Sequence, residues 1–403
     1  MFDVIPQNLE EELSRYVKET YLPSRFQRSA DNAFNVKDLH FFGPSIEALS
    51  YAFTSERGEL SKNYLNKKEF RSSYLLYFFL TNYVKVIHTL TQLDHLQKLP
   101  VTENVDILDV GAGPATASIA CAHYYTEHYP KCRLTIHAVE QNKEVIKDAK
   151  HLFSRLCSEK HNIVFHSEEM RTRGISRSLP ANKKFDLIIA ANILNEMGNV
   201  VEEHSQFCKQ LISSHLRGSF IIIDPALQKT TRNLMELRDL LLEHHDATVL
   251  APCLHQKNCP MREANKRDWC HFYIEWKCPA LIRDIDRFIG NKHDYLKMAY
   301  MIFQQDQGRG ERRSPLSGHA PHAPTHRIVS SPMPSRGKAE LLLCGEQGKL
   351  TRVTQLDRDR SKKAVAFHNA KRGDTVIWPE NKFRVEDEKT FEVKLQWNRL
   401  QQH

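Results

Sequence analysis

Aromatic and aliphatic residues recur at three- and four-residue spacing through EFRSSYLLYFFLTNYVKVIHTLTQL (69–93), with few breakers, and this pattern predicts helix. Residues 1–98 are read as a helical N-terminal region whose stripe of Tyr74, Tyr77, Phe78 and Tyr83 faces a core. From residue 105 the texture changes. Short apolar runs (VDILDV, LTIHAVE, NIVFHS, FDLIIAAN, SFIIIDPA) alternate with polar helical segments, which predicts βα units and a parallel sheet covered on both faces across 99–250. A stretch rich in Cys, His, Pro and Trp then interrupts the pattern, so 251–305 is read as a cysteine-rich annex and a following helix. Gly, Pro, Ser, His and Arg without apolar period mark 306–326 as a basic linker. AELLLCGEQGKLTRVTQL, DTVIWP and TFEVKLQW then predict a small β domain over 327–403.

Composition narrows the class. Hydrophobic residues are 41% and charged residues 26% of 403, as in globular chains and unlike disordered or fibrous ones. The opening segment MFDVIPQNLEEELSRYVKETYL has no apolar core and carries Glu10, Glu11 and Glu12, which argues against a secretory signal and an Arg-rich transit peptide. Runs such as LIIAANIL are too short to span a bilayer, so a soluble cytoplasmic protein with no membrane partner is expected. The net charge of +8 is uneven. Residues 1–250 hold 29 Lys and Arg against 31 Asp and Glu, and residues 251–403 hold 28 against 18, so the excess of 10 positive charges lies in the C-terminal part. A localised basic surface suits a phosphate backbone.

The segment VDILDVGAGPAT carries Asp109, Gly111 and Gly113 between an apolar strand and a helix-forming run. Glycines there let a ligand approach backbone N–H groups near a helix N-terminus. The dinucleotide pattern fails, because position 116 is Thr. Glu140 ends the next strand, where a carboxylate can accept both hydroxyls of a ribose. Glu168 ends the third strand and Asn192 the fourth. Together these residues resemble the class I S-adenosylmethionine-dependent methyltransferases over about 100–250, an α/β Rossmann-like fold, and the resemblance implies S-adenosylmethionine as cofactor. No Asn-Pro-Pro-Tyr signature follows strand four, where the chain reads Asn192-Ile193-Leu194-Asn195. Asp224-Pro225 reads equally as a turn, so no catalytic residue is assigned and methyl transfer is left open.

In the annex Cys253, Cys259, Cys270 and Cys278 are separated by five, ten and seven intervening residues. Thiolates this dense in an intracellular chain point to a soft metal or an iron–sulfur cluster. The first gap exceeds the usual zinc knuckle, and proximity alone makes Cys278 the fourth ligand, with His255 and His271 as alternatives. The runs APCLHQKNCP and DWCHF, with RIVSSPMPSRGKAELLLC and RGDTVIWP further on, resemble the small-ribosomal-subunit-associated methyltransferase-like family of bacteria and mitochondria, over about 40–380. That resemblance implies a [4Fe–4S] cluster on Cys253, Cys259, Cys270 and Cys344, with zinc as the alternative metal. It also implies the small ribosomal subunit and its rRNA as partners, no DNA, and a bacterial-type cytoplasmic setting. Lys338, Lys362, Lys363, Lys371 and Arg372 are the expected phosphate contacts.

Overall fold

The computed structural model describes residues 5–24, 34–54, 64–157, 162–169, 174–175, 179–306, 325–358, 367–377 and 392–394. Nearly all of the expected linker, with Lys362 and Lys363, lies outside the described residues.

The N-terminal region is helical: α1 (Gln7–Tyr21), α2 (Val36–Thr54), α3 (Lys68–Ser73) and α4 (Phe79–His95), with a single π-helical turn, Tyr74–Phe78, between the last two. The sheet that follows contains β1 (Asn104–Val110), β2 (Arg133–Glu140), β3 (Ile163–Glu169), β4 (Phe185–Ala191), β5 (Leu216–Asp224), β6 (Ala247–Ala251), β7 (Phe272–Glu275) and β8 (Tyr295–Gln305). Its strand order is β3-β2-β1-β4-β5-β8-β6. β1 to β5 pair in parallel, and β8 runs antiparallel between β5 and β6. This is the Rossmann-like class I methyltransferase order.

The α/β assignment is borne out, whereas β8 was not foreseen. YLKMAYMIFQQ is buried through six consecutive positions, so it shows no alternation that separates a two-faced buried strand from a helix. The chain thus leaves the sheet after β6, builds the annex, and returns to it.

Alternate residues of the central strands face two different cores. Leu187 and Ile189 join Ile107, Ile221 and the N-terminal helices. Ile188 and Ala190 join Leu108, Phe220, Ile222 and the helices α7 (Leu194–Met197), α8 (Val201–His215) and α9 (Gln228–Glu243). Burying one such Ile side chain contributes about 1.5–3 kcal/mol. The N-terminal helices are held polar-to-polar as well: Tyr16 and Tyr21 each donate a 2.6 Å hydrogen bond to Asp148 on α6 (Lys143–Cys157).

The second sheet is antiparallel and contains β9 (Thr325–Ile328), β10 (Met333–Ser335), β11 (Lys338–Gly345), β12 (Leu350–Leu356), β13 (Thr375–Ile377) and β14 (Glu392–Lys394). Period-two alternation along β11 puts Ala339, Leu341 and Leu343 into a small core with Ile328, Val353 and Phe367. Leu342 and Cys344 therefore face the other way, onto the annex beside Cys259 and Met261.

Candidate functional site

Strand order reverses direction between β1 and β4, and the crevice beyond the C-terminal ends of such strands is where open α/β sheets bind ligands. A cavity of ≈ 210 Å³ lies there, lined by Gly111, Gly113, Glu140 and Asn192 among others. The turn after β1 holds Gly111 at φ +65° and Gly113 at φ +54°. A Cβ on Gly111 meets Ile193 Cδ1 at 2.5 Å, while one on Gly113 meets nothing within 4 Å. Gly111 is required by both conformation and packing, and Gly113 by conformation alone.

Glu140 organises this turn. Its Oε2 accepts the Gly113 N–H at 3.1 Å, and its Oε1 accepts the N–H groups of Gln141 and Asn142 at 2.8 and 2.9 Å. Burial raises its pKa, and the three donated hydrogen bonds oppose that rise. Asn192 also has positive φ, +60°, and its backbone N–H donates to Ile223 O at 2.7 Å. Asp109 is placed differently. It is 1% exposed, outside the cavity lining, and accepts from the N–H and Oγ of Ser118 at 3.0 and 2.7 Å, so it ties the loop to α5 (Thr116–His128). Burial pushes its carboxyl up to about 6. Glu168 is exposed and does not line the cavity either.

The N-terminal helices close the cavity from the other side with Phe53, Tyr64, Tyr74, Phe78, Asn82 and Lys85. The helical spacing predicts that the whole aromatic stripe lies in the core. Tyr77 and Tyr83 are there, each 1% exposed, but the π-helical turn swings Tyr74 and Phe78 into the cavity wall. Asn82 Nδ2 donates to Tyr74 Oη at 3.1 Å, and burial holds the phenol protonated, with its pKa pushed up to about 12. Next to the fourth strand, Asn195 Nδ2 donates to Asp224 Oδ1 at 3.2 Å.

A second cluster forms where the annex meets β11. Cys259 caps the short helix α10 (Pro260–Ala264), Cys270 precedes β7, Cys253 follows β6, and Cys344 arrives from the second sheet. They lie close enough that ionising one disfavours ionising the next: Cys253, Cys270 and Cys259 all raise the Cys344 thiol, and Cys259 and Cys253 raise that of Cys270. Burial is the larger cause in both cases, and it also lifts Cys259 to about 11. Cys278 is elsewhere. Its charged neighbours are Asp286, Arg283, Glu10 and Asp294, and burial lifts it to about 11. Among the described residues, no three His, Cys, Asp or Glu side chains stand so that they could hold one metal ion.

His255 Nε2 stands 3.5 Å from Cys344 Sγ, and His271 lies 3.3 Å from Arg372. Burial lowers both imidazoles to about 4, so they are neutral at pH 7. Of the expected phosphate contacts, Lys338 pairs with Glu340 at 2.9 Å, Lys371 pairs with Glu275, and Arg372 donates to Trp269 O at 3.3 Å.

A family model described as "Mitochondrial small ribosomal subunit Rsm22" matches residues 69–378, a span that contains the sheet side of the cavity, with Gly111, Gly113, Glu140 and Asn192, and Cys253, Cys259, Cys270 and Cys344. The chain belongs to the Rsm22 family. No curated protein matches this Rsm22-family chain. Solved structures similar to it include precorrin-6y C5,15-methyltransferase from Geobacter metallireducens GS-15, 16% identical over 53% of this chain and 88% of that one, with a TM-score of 0.31. The METTL16 methyltransferase domain is 12% identical over 72% and 91%, with a TM-score of 0.33. The strand order, rather than these scores, carries the fold assignment.

Proposed function

We propose that this chain is a methyltransferase-like protein of the small ribosomal subunit that binds rRNA in subunit assembly or translation, holds S-adenosylmethionine in the cavity and carries a [4Fe–4S] cluster on its annex. The observation that carries this reading is the Rsm22 match, because one family span covers the glycine turn, Glu140, the annex and β11 together. The setting adopted is the mitochondrial one named in the family description, in place of the bacterial-type cytoplasm expected from the sequence. Among the described residues, no helix is long and apolar enough to cross a membrane.

For the nucleoside, Glu140 would accept the ribose hydroxyls, and the glycine turn and Asn192 would border the rest of the ligand. Glu140 already accepts three N–H groups, which leaves about one of its four lone-pair sites, on Oε2, so a ribose would share acceptors with the backbone and not find a bare carboxylate.

For the cluster, the donor set fits. Four thiols converge from two sheets, burial raises the pKa of Cys259, Cys270 and Cys344, and a metal would displace those protons. A cubane asks for one thiolate per iron, so it does not need three donors on one ion. Cys253, Cys259, Cys270 and Cys344 would hold it. When bound it supplies a cross-link between the annex and the second sheet, and an electron-accepting centre.

The second reading is an active rRNA methyltransferase, favoured by Asn195 and Asp224 hydrogen-bonded beside the cavity. Purified holo-protein incubated with labelled S-adenosylmethionine and small-subunit assembly intermediates separates the two. The first reading expects particle binding without methyl groups appearing in rRNA. Stoichiometric methylation overturns it in favour of the second, and binding to neither particle nor cofactor overturns both.

A further inference from the structure

We infer that Arg238, Arg327, Arg372 and the Nε2–H of His255 form a hydrogen-bonding cationic cage around the four-cysteine site, built for an anionic occupant. The inference rests on the cluster reading above and concerns residues that do not ligate.

The tautomer of His255 follows from its neighbours. The Lys257 backbone N–H donates to His255 Nδ1 at 3.2 Å, and Arg238 Nη2 faces the same nitrogen at 3.4 Å. Nδ1 is therefore the acceptor, the proton sits on Nε2, and Nε2 is the atom 3.5 Å from Cys344 Sγ. His255 is a donor to this sulfur, not a competing ligand.

The three guanidiniums come from three separate elements, lie close enough to the cysteines to favour their thiolates (Arg372 and Arg327 at Cys270, Arg238 at Cys344), and keep unspent N–H groups. Arg238, on α9 and 0% exposed, donates to His255 O and Asp239 Oδ1 at 2.7 Å and to Lys257 O, but its Nε has no partner. Arg327, on β9 and 4% exposed, donates Nη1 to Gly373 O at 2.7 Å and leaves Nε and Nη2 without partners. Arg372 leaves its Nε so. Among the described residues, no carboxylate lies in ion-pair distance of Arg327 or Arg372, and Asp239 is taken up by Arg238 and Arg262. Cationic N–H groups buried without a partner destabilise the fold. Neutral thiols do not offset that cost. Four thiolates on an iron–sulfur core do, because the assembly is anionic and its sulfurs accept N–H hydrogen bonds.

Cations and donors around such a centre stabilise its reduced, more negative state and so raise its midpoint potential. The test uses full-length holo-protein with Arg327→Met and Arg372→Met, read by iron per chain and by redox titration. Each variant is expected to keep the wild-type iron content and to titrate lower, by about 59 mV for a tenfold change in a one-electron equilibrium. Arg372→Met, in a loop, supplies the reading if Arg327→Met does not fold, and Arg327→Lys should recover part of the shift. Wild-type protein without iron removes the cluster reading and the cage together. Wild-type protein with iron, and Met variants at the wild-type midpoint, removes the cage alone.

Discussion

The Gly113 N–H donates to Glu140 Oε2 across 3.1 Å, joining the turn after β1 to the end of β2. One carboxylate thus shapes the glycine turn and faces the cavity. Glu140→Ala should weaken S-adenosylmethionine binding by about 1.5–3 kcal/mol, roughly tenfold to a hundredfold, as expected for loss of a charged acceptor. Glu140→Gln keeps a carbonyl acceptor and should lose less. Calorimetry that finds the Ala variant at wild-type affinity takes Glu140 out of the site.

Gly111 and Gly113 should respond differently to one methyl group. Both need a left-handed backbone, which costs a non-glycine residue about 1–2 kcal/mol. Gly111→Ala adds a clash with Ile193 and should cost more than Gly113→Ala in urea unfolding. Ile193→Ala should relieve part of the first cost and none of the second. Equal costs for the two glycines, unchanged by Ile193→Ala, refute this packing.

Asp109 predicts a pH dependence whose sign is opposite to that of a salt-bridged carboxylate. Its folded pKa, about 6, lies above the ordinary value of 3.8. Between those values the folded state holds the proton more tightly, so the Asp109 contribution to stability falls as pH rises from about 4 to 6, by about 2–3 kcal/mol. Asp109→Asn keeps an acceptor for Ser118 and should flatten that part of the curve. Wild-type and variant unfolding curves with the same pH slope contradict the assignment.

The five cysteines of the annex and β11 divide by neighbourhood. Cys344→Ser should lose iron from anaerobically purified protein, as should changes at Cys253, Cys259 or Cys270, whereas Cys278→Ser should keep about four irons per chain. One zinc and no iron, or iron lost only with Cys278, would replace this ligand set.

Much of the fold was legible because its signals are local. Five apolar runs ending in polar residues mark five strands, and Gly111, Gly113, Glu140 and Asn192 fall at strand ends by counting alone. What stayed hidden depends on long-range packing. Asp109 sits in the same motif, yet its side chain turns to Ser118, and sequence spacing does not record that rotation. Tyr74 and Tyr77 share one apolar stripe, and only the π-helical turn sends the first to the cavity and the second to the core. Cys344 lies 74 residues beyond Cys270 (344 minus 270) and reaches it through the alternation of β11, whereas nearby Cys278 is carried off toward α11 (Ala280–Ile289).

The account stands most directly on association with the small ribosomal subunit. Full-length holo-protein sedimented through a gradient with mitochondrial small-subunit particles should travel with them at low salt and dissociate steeply as salt is raised, as phosphate contacts require. Folded, iron-loaded protein that remains in the light fractions at low salt, with intact particles present, would contradict it.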